Sequence, residues 1–157
     1  LVGNSSNQSK KEQVSLIQTL ETVMNSIPNL IRDSKAEVRF NFSQLEVVEF
    51  NRILMESILL NLLTNSIKYA KRGVPPQIEI WTEVIASERK LHVKDNGIGM
   101  DMDKVGNRLF GLKEKFHHNQ DSKGVGLYLV HTHVVKMGGK IEVFSSPGEG
   151  TQFVITF

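Results

Sequence analysis

Apolar side chains recur at helical spacing early in the chain, at Ile17, Leu20, Met24, Ile27 and Ile31, which predicts a helix over about residues 14–34. Pro28 ends or kinks that helix in its last third, because proline lacks the N–H that the helical ladder needs. The period then drops to two at Val38, Phe40 and Phe42, the pattern of a strand over 36–42. A second helical stretch runs over about 49–70 and stops before the breaker Arg72-Gly73-Val74-Pro75-Pro76. Alternation returns at Ile78, Ile80, Thr82 and Val84, and again at Leu91 and Val93. With the polar Ser87-Glu88-Arg89 between them, these runs read as an antiparallel hairpin. Over 100–123 charge, paired histidines and glycine mix without a period, as in a long functional loop. Leu127, Val130, Val134 and Met137 predict a third helix over 126–137, stopped by Gly138-Gly139. Strands over 140–145 and 151–157 close the chain around the turn Pro147-Gly148-Glu149-Gly150. Residues 1–12 are polar, with too little apolar surface to offset ordering entropy, and read as a tail or linker ahead of one domain over 13–157. There is no internal repeat and no low-complexity tract.

Composition narrows the function classes. The chain has 157 residues, 39% of them hydrophobic and 23% charged, which suits one globular core. A net charge of +2 without a basic block gives no nucleic-acid footprint and no membrane-binding face. The absence of cysteine removes thiolate catalysis, disulfides and cysteine-based zinc sites, and fits a reducing compartment, with the cytoplasm as the expectation. No apolar run approaches the roughly 20 residues needed to span a bilayer, and the polar start has no signal-peptide core, so a soluble chain is expected.

Three segments carry candidate chemistry. On the second helix Asn61, Asn65, Lys68 and Tyr69 fall at i, i+4, i+7 and i+8, so two amides, an ammonium and a ring share one face. The opposite face, with Leu59, Leu62, Leu63, Ile67 and Ala70, can seat the helix on a sheet. Helical asparagine is mildly unfavourable, so a pair of them is a local cost that a site would explain. Asn65 can offer an amide oxygen to magnesium, which takes a few protein oxygens alongside water and phosphate. Second, Asp95-Asn96-Gly97-Ile98-Gly99 places a carboxylate at a strand end, able to accept from an exocyclic amino group while Gly97 and Gly99 let backbone approach a ring. Third, Gly124-Val125-Gly126-Leu127 enters a helix with free N–H groups and a positive dipole end, suited to phosphate. Alone, the second and third segments would read as ordinary turns and a single helical asparagine as a surface residue, whereas the asparagine pair already favours a site.

As an ordered set, these segments resemble the catalytic ATP-binding domain of the sensor histidine kinases, in the superfamily shared with gyrase, heat-shock chaperone and mismatch-repair ATPases. Asn61 to Tyr69 is similar to the N box and Asp95 to Gly99 to the first glycine box. Leu109-Phe110-Gly111-Leu112 through Phe116 resembles the F box, while Gly124 to Leu127 and Gly148-Glu149-Gly150-Thr151 resemble the other glycine boxes. The resemblance covers about 14–157. It implies an α/β two-layer sandwich of the Bergerat type, with a mixed sheet of about five strands, about three helices on one face, and an ATP lid.

The resemblance also implies roles. Asn65 would ligate Mg2+, Asn61 would support the phosphate and metal site, and Lys68 would reach a phosphate, the three forming the catalytic set. Tyr69 would pack against adenine, and Asp95 would take its amino group. Gly97 and Gly99 would floor the base pocket, Thr151 would reach the adenine side, and Ile98, Leu127 and Phe153 would wall it. Gly124, Val125 and Gly126 would cradle the phosphates. The chain departs from the family pattern at Ser122, where many members have glycine, and at Lys115, where arginine is frequent and a bidentate fork is lost. Water-splitting members place a glutamate four residues before the metal asparagine. This chain has Asn61 there, which cannot take a proton, and Glu56 lies too far back on the apolar side to substitute.

Transfer of the γ-phosphoryl from Mg-ATP to a histidine is therefore expected over hydrolysis, with a nucleotide-binding module lacking transfer as the alternative. None of His92, His117, His118, His131 or His133 has the acidic neighbour of the family's phosphoacceptor, so surface or structural roles are expected for them. The acceptor is expected on a separate dimerisation domain of a homodimeric protein that could be membrane-anchored, with a response regulator downstream.

Overall fold

The computed structural model describes residues 10–111 and 123–157. Its first element is a strand, β1 (Glu12–Ser15), in place of the expected start of a helix, and it pairs antiparallel with β3 (Val47–Phe50) in a small two-stranded sheet. The reason is burial: Val14 stands opposite Val48 in this pair, and both are almost wholly enclosed. Glu12 accordingly belongs to a strand, where a tail was expected. Glu49 likewise pairs with Gln13 and does not open the second helix.

Helix α1 (Leu16–Ser26) follows, with the Ser15 hydroxyl capping the Gln18 N–H at 3.3 Å. The backbone leaves helical geometry at Ile27, and Pro28 opens a separate helix α2 (Pro28–Ser34), which is the expected proline break. Next come β2 (Glu37–Asn41), β3 and the long helix α3 (Arg52–Lys68). Asn51 caps α3 by accepting from the Leu54 N–H at 3.1 Å.

The expected hairpin forms as β4 (Gln77–Ile85) and β5 (Glu88–Asp95). Its turn is Ala86-Ser87, both at positive φ (49° and 71°), while Glu88 and Arg89 already lie in the strand. Positive φ at both central residues fits the primed hairpin turn, whose twist matches that of the strands, adopted here without glycine. Within the stretch expected to be irregular lie a short helix α4 (Met102–Val105), capped by Asp101, and a 3-10 turn at Gly106–Arg108. Helix α5 (Lys123–Lys136), β6 (Lys140–Ser146) and β7 (Gly150–Thr156) complete the order, within a residue or a few of the expected limits.

The main sheet has five strands in the order β2-β4-β5-β7-β6. Only β2 runs parallel to its neighbour, so the sheet is mixed as expected. Alternation sends Ile78, Ile80, Leu91, Val93, Phe153 and Ile155 to one face, where they meet Ile58, Leu59, Leu62 and Leu63 of α3 and Leu127, Val130 and Val134 of α5 in one core. Helix α3 packs between α1 and α5. Burying α3 so deeply fixes its rotation about its own axis, and hence where Asn61 and Asn65 point. The two-layer sandwich is thus as expected. Among the described residues no helix is long and apolar enough to cross a membrane.

Left-handed backbone costs roughly 1 kcal/mol or more for a residue with a Cβ. Replacing Ala86-Ser87 by Asn-Gly should therefore stabilise the chain by about 1 kcal/mol, read as a rise in the urea midpoint with an unchanged slope. His133 of α5 has its pKa lowered below the ordinary 6.5, first by burial and then by Lys136. Above that value both folded and unfolded chains hold a neutral imidazole. As pH falls through it, the unfolded chain takes up a proton that the folded chain resists, and stability declines until the folded imidazole is also protonated. His133→Gln should flatten that part of a stability-against-pH profile.

Candidate functional site

The site lies where the C-terminal half of α3 faces the end of β5 and the start of β7. An open depression there is lined by Asn65, Tyr69, Asp95, Gly99, Met100, Thr151 and Phe153. Asp95 is its centre. Carboxylate Oδ1 accepts from the Gly97 N–H at 2.9 Å and the Thr151 N–H at 3.2 Å, while Oδ2 accepts from the Ser66 hydroxyl at 2.8 Å. Three donors from three elements fix the plane of the carboxylate and leave lone pairs to face the depression. Ser66 is buried beneath it on α3, one residue after Asn65.

Close backbone contact explains the glycines. A Cβ on Gly97 would sit 2.6 Å from the Tyr69 carbonyl oxygen, which also accepts from the Ile98 N–H at 3.0 Å. Gly99 (φ 71°) lies so close to the Ser146 carbonyl, and Gly150 (φ 82°) to the Asp95 carbonyl, that a side chain at either would collide with backbone. The Gly148 N–H adds a 2.7 Å bond to the Ile98 carbonyl. The first and last glycine segments are thereby one structural unit.

On the other side of the site, Asn61 donates its amide Nδ2 to the Ser57 carbonyl at 2.8 Å and to the Ser57 hydroxyl at 3.3 Å. Its Oδ1 then faces α5, where a Cβ on Gly126 would stand 3.2 Å away. Gly126 thus lets the first turn of α5, with Gly124 and Val125, come up against the asparagine face of α3. Asn65, lining the depression, has its amide Nδ2 buried without a hydrogen-bond partner. An orphaned amide in an otherwise satisfied pocket fits a bound polar group. Among the described residues no cluster of three or more His, Cys, Asp or Glu side chains can hold a metal. A cation beside Asn65 would therefore draw most of its oxygens from phosphate and water, which suits magnesium.

The structure brings Asn61, Asn65, Tyr69, Asp95, Gly97, Gly99, Gly126 and Thr151 together. It does not bring in all the expected residues. Lys68 is exposed, with its ammonium 5.4 Å from the Tyr69 ring centroid, and does not line the depression. Ile98 is 47% exposed, and Leu127 is wholly buried in the core, so neither lines the depression, whereas Phe153 does. Phe110 stacks on His131 of α5 at 5.2 Å, and His92 stacks on Trp81 at 4.7 Å and meets the Gln152 amide at 3.0 Å. Those contacts give both histidines local structural partners. Leu112, Lys115, Phe116, His117, His118 and Ser122 lie outside the described residues.

Sequence reasoning missed Ser66 and Ser145. The Ser145 hydroxyl bonds the Met100 N–H, the Gly150 carbonyl and the Thr151 hydroxyl at 2.8, 2.8 and 2.9 Å. Only the parity of β6, which sets Ser145 opposite Thr151, could have hinted at it.

Residues 50–157 match the family described as histidine kinase-, DNA gyrase B-, and HSP90-like ATPase. The methanogenesis regulatory histidine kinase FilI of Methanothrix harundinacea is 38% identical over 109 residues, 69% of this chain and 12% of that protein. Sensor protein SrrB of Staphylococcus aureus is 29% identical over 126 residues, 78% of this chain and 21% of that protein. The chain thus spans only about an eighth to a fifth of these relatives. Among solved structures, the catalytic domain of histidine kinase ThkA superposes with a TM-score of 0.75 at 19% identity, covering 94% of this chain and 95% of that one. The mycobacterial sensor histidine kinase MprB gives 0.74 at 21% identity, covering 94% and 96%. The backbone likeness spans nearly the whole fold, and the family match takes in every described segment that lines the depression. The chain belongs to the histidine kinase-, DNA gyrase B- and HSP90-like ATPase family.

Proposed function

We propose that this domain binds Mg-ATP in the depression around Asp95 and transfers the γ-phosphoryl to a histidine on a separate dimerisation domain. The observation that carries the reading is the pairing of two features in one depression: an Asp95 carboxylate held by three donors, and an Asn65 amide nitrogen buried without a partner.

Asp95 accepts from the adenine amino group, and Tyr69 and Phe153 pack against the base. Gly97 and Gly99 keep the pocket floor free of side chains. Asn61 and Asn65 face the phosphates from α3, while the first turn of α5, opened by Gly124 and Gly126, offers its free N–H groups to them. Asn65 would hold magnesium on this chain, and the ion would supply charge neutralisation at the phosphates. The acceptor imidazole nitrogen attacks the γ-phosphorus, a P–N bond forms, and the bond to the ADP oxygen breaks. The chain's own part is positioning. Asn61 supports transfer over hydrolysis, since its amide can take no proton from water and is committed to Ser57. Lys68 reaches a phosphate from its exposed position by swinging off the Tyr69 ring. In the whole protein, the partners are the histidine-bearing domain of a homodimer and, downstream, a response regulator aspartate, on the cytoplasmic side of any membrane anchor.

Asp95→Ala should weaken ATP binding by about 30-fold with or without magnesium, the scale of a lost charge-assisted hydrogen bond. Asn65→Ala should weaken it mainly when magnesium is present. Calorimetric titration distinguishes the two, and equal magnesium dependence would overturn the division of roles. Incubation with γ-labelled Mg-ATP should put acid-labile label on an added upstream histidine-bearing domain and none on this chain alone. ATP binding without any transfer would leave a nucleotide-binding module, and steady phosphate release by the chain alone would indicate an ATPase.

A further inference from the structure

The Ser145 hydroxyl meets three partners, and counting protons leaves one arrangement for them. A hydroxyl carries one proton and two lone pairs. The Met100 N–H can only donate, so at 2.8 Å it takes one lone pair of Ser145. The Gly150 carbonyl can only accept, so at 2.8 Å the proton between the two oxygens is that of Ser145; without it they would repel. The third contact, Ser145 Oγ to Thr151 Oγ1 at 2.9 Å, must then be bridged by the proton of Thr151. Ser145 thereby consumes the only hydroxyl proton of Thr151, a residue that lines the depression. What Thr151 turns toward a ligand is acceptor lone pairs. Asp95, bonded to the Thr151 N–H at 3.2 Å, is likewise an acceptor.

We infer that Ser145 is a specificity-determining residue: it fixes Thr151 as an acceptor, so that this wall selects a base edge bearing an amino group and rejects one bearing a carbonyl. Adenine presents an amino group at position 6, whereas guanine presents an oxygen there, which would face acceptors only. Ser145 itself lies behind Thr151 and acts through it. This inference rests on the nucleotide reading above and adds what reads the base.

The test is calorimetric titration of the full chain with ADP and with GDP in magnesium-free buffer, which leaves the metal side silent. The unaltered chain should prefer ADP. Ser145→Ala frees the Thr151 hydroxyl to turn its proton toward the ligand, and should cut the ADP-over-GDP preference about tenfold, the scale of one buried hydrogen bond gained or lost. Ser145→Thr, which keeps the hydroxyl, should retain the preference. In a Thr151→Val background, adding Ser145→Ala should leave the ratio unchanged. Ser145→Cys keeps nearly the same volume with a much weaker donor, and should lower the preference even if the alanine variant folds poorly. Equal losses of ADP and GDP affinity in the serine variants would reduce Ser145 to packing and overturn the inference alone. A shift of ratio that persists without the Thr151 hydroxyl would overturn it as well. Failure of the unaltered chain to bind ADP would overturn the nucleotide reading, and the inference with it.

Discussion

The seam between the end of β5 and the β6–β7 turn is the constraint on which the site depends. There, two stretches of backbone approach more closely than any side chain allows, at Gly99 against Ser146 and at Gly150 against Asp95. Each glycine also has a φ that L-residues rarely adopt. The closeness lets the Gly148 N–H reach the Ile98 carbonyl and the Met100 N–H reach Ser145, so the pocket floor is hydrogen-bonded to the sheet edge. Asp95 sits at the junction, and its orientation is inherited from both sides. The seam joins segments about fifty residues apart in sequence, and neither side can move without breaking bonds to the other.

Helix α3 supplies the facing wall. Its position follows from burial of its apolar face in the core and from packing between α1 and α5. The pressure of packing leaves Asn61 and Asn65 few directions to point. One amide is satisfied locally by Ser57 while the other keeps a buried N–H unspent. The apolar face of the helix is buried, and of its asparagines Asn65 lines the depression while Asn61 faces the first turn of α5.

Much of the fold was legible in the sequence where the patterns were long. The hairpin, the long helix and the glycine-bounded closing strands carry period or punctuation over seven or more residues, enough to outweigh local ambiguity. The small β1–β3 sheet was not legible. Its strands have four residues each, and Val14 and Val48 fit a helical stripe as well as a strand until their partner is known. The site divides along the same line. Residues flagged by their own chemistry, such as Asp95 and Gly99, do line the depression. Ser66 and Ser145 carry no such signature, since a serine has none and their contacts to Asp95 and Met100 span 29 and 45 residues. Spacing places a lysine's Cα but not its ammonium, and that of Lys68 rests 5.4 Å from the Tyr69 ring centroid.

Asn51 makes two bonds at once, capping α3 through the Leu54 N–H and donating its Nδ2 to the Lys10 carbonyl at 3.0 Å. The chain entering the domain and the first turn of α3 are therefore fastened by one side chain, with the β1–β3 pair running alongside. Mechanically, a pull on the chain at residue 10 is borne by the side chain that also caps the helix carrying Asn61 and Asn65.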